Sequence, residues 1–449
     1  MYKNTEHIAE IVALGADGEG IAKPDGFTVF VPGAVKGDLV RILIIKEKKN
    51  YGYGKLLEVI EPSPMRTEPL CNVFQKCGGC SMQSIDYKYQ LEYKKNKVLD
   101  SLKRIGSFEN AKIDSVTGSD PCYHYRNKAQ FPITETADGV RPGFYAPHSH
   151  RVVVPTECVL QDQRTNAVVN AVCDWATENG IPVYDEERGT GSLRRICMRT
   201  GKDEAVLILV AKKNLPATES LVGRITTDFP FIKGIVININ KDTTNNVYGD
   251  KDKCIYGNPY IIDNIGDVKY KVHYKSFYQV NPYTTRLLYE KALQLAALDE
   301  NQTVFDLYCG AGSISLFLAK NAKKVIGIEI VDDAVKNAKE NAELNGITNA
   351  EFYLGAAEEV APKLIKSGEV ADTVVLDPPR KGCEEKLLKA IAQMNPKRIV
   401  YVSCDSATMA RDAKFLSQSG YSLKEVHVFD QFPQTSHVEC CVLLCRTKH

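Results

Sequence analysis

Hydrophobic and polar positions divide the chain into stretches of different rhythm. Residues 8–60 run as short apolar stretches, Ile8–Leu14, Phe27–Val31, Leu39–Ile45 and Leu56–Ile60, broken at Gly15-Ala16-Asp17-Gly18, Pro32-Gly33 and Tyr51–Gly54. Short β runs at that spacing predict a small barrel, and Glu61-Pro62-Ser63-Pro64 behind it reads as a Pro-rich linker. From Val304 strands and helices alternate: Val304–Tyr308, Ser313–Lys320, Lys324–Ile330, Val331–Leu344, Glu351–Leu354, 357–366, Thr373–Leu376, 384–393, Arg398–Ser403, Ala407–Ser417, Glu425–Phe429 and Val438–Cys445. Such alternation predicts a mainly parallel sheet with helices on both faces. In the helix from Val331, residues Val331, Ala334, Val335, Ala338 and Ala342 share one face, Lys336, Lys339, Glu340 and Glu343 lie off it, and Gly346 stops it.

Composition and charge narrow the picture. With 449 residues, 44% hydrophobic and 25% charged, the chain is expected to fold as two or three domains and is neither a small module nor a disordered tail. The 57 Lys+Arg nearly cancel the 56 Asp+Glu, so any surface for nucleic acid must be a local patch. Lys46, Lys48 and Lys49 beside Tyr51 and Tyr53 offer one, pairing phosphate contacts with stackable rings; a solvated hairpin is the plainer reading. No apolar run reaches the roughly 20 residues of a membrane span, and the first six residues lack an apolar signal region. A cytoplasmic protein with no membrane partner is expected.

The 14 cysteines then fall in a reducing compartment, where thiols act as metal ligands, nucleophiles or small hydrophobes. Cys173, Cys197, Cys254, Cys440, Cys441 and Cys445 lie in apolar stretches and read as buried filler. Cys71, Cys77 and Cys80 instead fall within ten residues, with Gly78-Gly79 allowing the tight turn that lets sulfurs converge. Cys158, after a Pro-bounded strand, is the candidate fourth ligand. Four thiolates suit zinc or an iron–sulfur cluster, and a compact trio with a remote fourth is the more usual cluster layout.

In the C-terminal half, Asp306-Leu307-Tyr308-Cys309-Gly310-Ala311-Gly312 ends the first strand in a glycine turn and Glu329 ends the second. Glycines there admit an adenosine to the backbone, and an acid at that place accepts from ribose hydroxyls. This block resembles the S-adenosylmethionine-dependent methyltransferases. The fourth strand ends in Asp377-Pro378-Pro379-Arg380, whose prolines hold the Asp377 carboxylate towards the cofactor pocket; the absence of an aromatic after them argues against an exocyclic nitrogen target. Cys404 ends the fifth strand before a helix, a place that favours a lowered pKa and nucleophilic attack, although a packed strand thiol is the simpler reading of position alone. Methylating uracil C5 requires a thiolate to add at C6 first and a base to remove the C5 proton afterwards. Glu439 is the base this reading selects, with His437 the competitor.

Ser276-Phe277-Tyr278-Gln279-Val280-Asn281-Pro282, Asp306–Gly312, Asp377–Gly382, Tyr401–Asp405 and His437-Val438-Glu439 together resemble the RNA uracil-C5 methyltransferase family, in its order. Gly18-Glu19-Gly20-Ile21-Ala22 and Phe30–Ala34 before Gly37-Asp38 resemble the TRAM domain of RNA-modifying enzymes. The resemblance implies an α/β fold: a Rossmann-like methyltransferase domain at 263–449, an OB-like TRAM barrel at 1–60, and a central iron–sulfur-bearing α+β domain at 61–262. It makes Gln279, Tyr308, Glu329 and Asp377 cofactor contacts, Cys404 the nucleophile and Glu439 the base. It makes Cys71, Cys77, Cys80 and Cys158 ligands of a [4Fe-4S] cluster, and Arg126 and Lys128 holders of RNA phosphates. A TRAM domain with four cysteines resembles the 23S ribosomal RNA enzymes more than the transfer RNA enzyme, and a monomer is expected. An RNA-binding module without activity and an RNA cytosine-C5 methyltransferase are the rival readings.

Overall fold

A computed structural model of the protein describes residues 3–242 and 246–447. The chain begins with strands β1 (Glu6–Leu14), β2 (Gly20–Ala22), β3 (Thr28–Val31), β4 (Leu39–Glu47) and β5 (Tyr51–Glu61), closed into a barrel in the order β1-β2-β3-β5-β4. Alternate residues turn inward, so Ile11, Val29, Val31, Val40, Ile42 and Ile44 are buried together. The stretch Tyr51–Gly54, expected as a turn, is the first half of β5. Its glycines are there for close approach: a Cβ on Gly52 would stand 3.0 Å from the Lys46 carbonyl oxygen, and one on Gly54 3.0 Å from Val29 Cγ1.

Helix α1 (Tyr87–Arg104) and the short β6 (Ser115–Thr117) follow. The middle of the chain forms β7 (Lys128–Thr136), β8 (Gly139–Pro142), the small pair β9 (Phe144–Tyr145) and β10 (Val152–Val153), α2 (Gln163–Glu178), β11 (Leu193–Thr200), β12 (Ala205–Ala211), α3 (Thr218–Asp228), β13 (Ile232–Ile239) and β14 (Lys251–Gly257). Six of these strands make a sheet in the order β14-β13-β12-β11-β7-β8. β12 reads AVLILVA, apolar on both faces, and every residue of it is buried. A hairpin of β15 (Tyr260–Ile265) and β16 (Val268–His273) leads on to α4 (Pro282–Ala296).

The remaining elements are β17 (Thr303–Asp306), α5 (Ser313–Leu318), β18 (Lys324–Glu329), α6 (Asp332–Leu344), β19 (Ala350–Leu354), α7 (Ala357–Lys366), β20 (Thr373–Leu376), α8 (Glu385–Met394), β21 (Arg398–Ser403), α9 (Ser406–Gln418), β22 (Tyr421–Phe429) and β23 (Glu439–Arg446). They give the alternating α/β sheet expected, in the order β19-β18-β17-β20-β21-β23-β22-β6. Strands β17 to β21 are parallel, and β23 runs antiparallel between β21 and β22. The last strand comes from far upstream: β6 pairs with β22 through His427↔Ser115, Val428↔Val116 and Phe429↔Thr117. Val98 and Leu102 of α1 are buried in the same core as Met409, Ala413 and Leu416 of α9. Among the described residues no helix is long and apolar enough to cross a membrane.

Candidate active site

Parallel strands deliver their carboxyl ends to one edge of the sheet, and the selected residues meet there. Asp306 ends β17, Glu329 ends β18, Asp377 follows β20 and Cys404 follows β21. Because β23 is antiparallel, its first residue reaches the same edge. The β21–β23 register pairs Ser403 with Cys440, and its continuation sets Cys404 opposite Glu439.

The glycine turn is a rigid cradle beside them. Gly310 and Gly312 have φ of 53° and 80°, a conformation glycine adopts without strain. Gly310 N donates to Glu329 Oε2 at 3.1 Å, while Ile330 N and Val331 N donate to Glu329 Oε1 at 2.8 and 2.9 Å. Ser315 Oγ donates to Asp306 Oδ2 at 2.6 Å, so the serine that replaces the third glycine of the dinucleotide fingerprint orients the acid of β17. Gln279 is buried; its backbone carbonyl accepts from Asn127 Nδ2 at 2.9 Å, and Gln431 Nε2 lies 3.4 Å from its side-chain oxygen. Tyr308 is half-buried beside Cys383.

Burial pushes the Asp377 carboxyl up to about 7, helped by Asp306, and pushes Asp306 up to about 6. It holds Glu439 well above the ordinary carboxylate range, with Asp377 adding to the effect. Asp306 Oδ1 and Glu439 Oε1 are buried without a hydrogen-bond partner. Adjacent buried acids with free oxygens suit a cation, and the sulfonium and ammonium of S-adenosylmethionine are cations.

The Cys404 thiol departs from expectation. Burial, then Glu439 and Asp377, push it up to about 11, with Arg380 opposing. Asp405, which caps α9 by accepting from Ala407 N and Thr408 N at 3.0 and 2.9 Å, takes the helix amides for itself, so the helix N-terminus leaves little for the sulfur.

Cys404 opens onto a groove of about 860 Å3 that runs over α1 to the barrel. Arg380, His437, Tyr93, Lys97 and the barrel turn Gly15–Asp17 line it. Partial burial and the cations Arg380, Lys97 and Lys94 hold the His437 imidazole below its ordinary value, so it is neutral at pH 7.

The segment before Glu439 is fastened by side chains that sequence reasoning missed. Lys94 and Asp430 form a buried ion pair, and Lys94 Nζ also donates to the Phe432 carbonyl at 3.0 Å. Gln90 Nε2 donates to Gln434 Oε1 at 2.9 Å and Gln434 N to Gln90 Oε1 at 3.0 Å. Ser81 N and Met82 N both donate to the Gln434 carbonyl at 3.1 Å, tying the cysteine loop to the same segment.

Cys71, Cys77, Cys80 and Cys158 are all partly buried. Burial pushes Cys80 up to about 12 and Cys158 up to about 11, and the charges of the other cysteines raise each further. Among the described residues no three His, Cys, Asp or Glu side chains group tightly enough to hold a metal ion. Arg126 and Lys128 flank Asn127, and Lys128 stands directly across the sheet from the buried Arg199. Burial and the Arg199 and Arg126 charges bring Lys128 down to about 8. Of the cysteines expected as filler, Cys173, Cys197, Cys440 and Cys441 are buried, whereas Cys445 is only partly so and Cys254 is exposed on β14.

This edge of the sheet, with its glycine turn, paired acids and adjoining groove, is that of an S-adenosylmethionine-dependent methyltransferase. Residues 249–447 match the family described as tRNA (Uracil-5-)-methyltransferase, and residues 2–57 match the TRAM domain. An RNA methyltransferase of Clostridium acetobutylicum, described as uncharacterized, is 47% identical over 449 residues, covering 99% of this chain and 98% of its own. Another from Bacillus cereus is 46% identical over 438 residues, covering 97% and 95%. The crystal structure of Pyrococcus abyssi tRNA (uracil-54, C5)-methyltransferase in complex with S-adenosyl-L-homocysteine is 29% identical, with a TM-score of 0.79 over 98% of this chain and 100% of that one. The chain belongs to the RNA uracil-5-methyltransferase family and carries a TRAM domain.

Proposed function

We propose that the protein methylates C5 of a uracil in 23S ribosomal RNA through a covalent adduct between Cys404 and C6, with Glu439 as the base. The observation that carries the reading is the register that sets Cys404 opposite Glu439 with Asp377 alongside, where Cys404 also lines the groove of about 860 Å3. Gln279, Tyr308, Glu329 and Asp377 would hold S-adenosylmethionine, which would supply an electrophilic methyl group and keep the electron pair of its broken bond as a neutral thioether. Cys404 gives up its thiol proton to water in the groove, its Sγ bonds to C6, and the C5=C6 electron pair moves towards the C4 carbonyl, making C5 nucleophilic. C5 then accepts the methyl group. Glu439 then removes the C5 proton, the double bond re-forms, and the Cys404 thiolate leaves.

Two variants test these roles. Cys404→Ala is expected to bind RNA yet give neither product nor adduct. Glu439→Ala is expected to accept the methyl group and stall as a protein–RNA adduct that survives denaturing electrophoresis and carries label from the cofactor methyl. Turnover by Glu439→Ala at the wild-type rate would pass the base role to His437.

Transfer RNA is the second reading, favoured by the full-length Pyrococcus abyssi neighbour, which acts on tRNA uracil-54 and aligns across the barrel as well. Mapping 5-methyluridine in ribosomal and transfer RNA from cells lacking the gene separates the two. We also propose that Cys71, Cys77, Cys80 and Cys158 hold a [4Fe-4S] cluster, supported by the proximity through which the charges of Cys71 and Cys77 act on both Cys80 and Cys158. Protein prepared without oxygen should then carry about four irons, and one zinc per chain would overturn this. Arg126 and Lys128, crowded by Arg199, are the proposed phosphate contacts, in a cytoplasmic monomer.

A further inference from the structure

Three aromatic rings form a continuous patch outside the barrel. Tyr51 and Tyr53 alternate on β5 with Gly52 and Gly54, which face inward, so both rings leave the barrel on one side. Phe30 pairs with Tyr53 across the parallel β3–β5 ladder. Ring centroids lie 5.7 Å apart for Phe30–Tyr51, 5.9 Å for Phe30–Tyr53 and 5.8 Å for Tyr51–Tyr53. None of the three belongs to the barrel core, and each tyrosine is 37% exposed. Lys46 Nζ stands 6.0 Å from the Tyr53 ring centroid, adding a cation beside the rings.

The patch lies one strand from the turn that lines the Cys404 groove: Phe30 pairs with Ile21 of β2, the strand that follows Gly15–Asp17. The turn Gly15–Asp17 lines the groove and is pinned there, with Tyr93 OH donating to the Gly15 and Ala16 carbonyls at 2.8 Å each. Lys97 Nζ bridges this turn to the segment before Glu439, donating to the Ala16 and Ser436 carbonyls at 2.9 Å each. Tyr51, then desolvation, and only after them the charges of Glu19 and Asp17 raise the Tyr53 hydroxyl above its ordinary value.

We propose that Phe30, Tyr51 and Tyr53 are a stacking platform for unpaired bases of the RNA strand that leads from the target uridine at Cys404 past the Gly15–Asp17 turn. This rests on the RNA-methylating reading above and deepens it. Bases within a duplex already stack on one another and offer no free face, so the substrate is single-stranded from target to platform. Stacking is indifferent to base identity; the platform therefore selects for an unpaired flank and leaves its sequence open.

The test uses the full-length enzyme and RNA oligonucleotides lengthened one nucleotide at a time on each side of the target. For wild type, KM should drop at one particular length on one side only, where a 2-aminopurine at that position is quenched. The Tyr51→Ala/Tyr53→Ala double variant should lose the quench and raise KM for the long RNA about fivefold or more, with kcat unchanged. Tyr53→Phe should keep both, because the ring and not the hydroxyl stacks. RNA ending short of that length should be methylated equally by all three proteins, which excludes misfolding. A wild-type KM and quench in the double variant would overturn the platform and assign the patch to a protein partner. If no RNA gains a C5 methyl group with any protein, the methylation reading fails, while the quench still decides the platform.

Discussion

At the scale of single residues the site is organised around acids that are costly to bury. Asp377 titrates at about 7 in the folded chain against an ordinary 3.8, so the folded state holds a proton that the unfolded chain releases earlier. The stability tied to that proton is complete below about pH 4 and is lost as pH rises through 7. A cation in the pocket reverses the preference by favouring the ionised form. S-adenosylmethionine carries a sulfonium where S-adenosylhomocysteine carries a neutral sulfur, and the two are otherwise alike in charge. The ratio of their affinities should therefore climb in favour of S-adenosylmethionine as pH rises towards 7, by up to about tenfold per pH unit for one expelled proton, and level off above it. Calorimetry on either side of that pH measures it. Asp377→Asn should flatten the dependence, and parallel pH curves in the wild type would mean that the acids do not face the sulfonium. Cys404 follows the same logic: with a pKa of about 11 it rests as a thiol, and the negative charges that hold it there are the ones a bound cation offsets.

At the scale of elements, α1 acts as a clamp on the segment that delivers Glu439. Lys94 and Asp430 are both fully buried, so removing one partner strands a charge in the interior. Lys94→Met should cost about 3–5 kcal/mol, read as a lowered denaturant midpoint, and Lys94→Met/Asp430→Leu should recover most of it. The double variant should nevertheless lose turnover, since Lys94 also holds the Phe432 carbonyl.

These contacts mark where the sequence stops being legible. Strand ends carrying Asp306, Glu329, Asp377 and Cys404 could be read because alternation of apolar strands with amphipathic helices is a local signal. Lys94 lies in YKYQLEYKKNKVLDSLKR, a polar helix in which nothing marks one lysine as buried. The Cys404 pKa was misjudged for a related reason: proximity to a helix N-terminus is visible in sequence, whereas burial beside Glu439, 35 positions later, depends on sheet register. Gly52 and Gly54 misled in the opposite direction, since close strand approach and a turn both call for glycine.

At the scale of the whole molecule, the TRAM barrel, the cysteine loop and α1 converge on the segment between β22 and β23. Lys97 bridges the barrel turn and the Ser436 carbonyl, and Gln434 accepts from the cysteine loop through its own carbonyl. The barrel and the cysteine loop are thus fixed relative to Cys404 by hydrogen bonds as well as by the chain that connects them. The strand that completes the C-terminal sheet was unreadable in advance, because Ser115-Val116-Thr117 carries no periodicity to detect.

That strand also sets a clock on synthesis. Ser115 meets His427 across 312 residues, so a ribosome adding about 5–20 residues per second leaves β6 without its neighbour for roughly 15–60 s. Until α9, Ser406–Gln418, has emerged from the ribosome, the apolar side of α1, with Val98 and Leu102, has no α9 to cover it. Ribosome-bound chains halted before Tyr421 should be cleaved by added protease within 87–117, and chains released at full length should resist it. Protection of the halted chains would mean that another part of the protein shelters α1 until the last strands arrive.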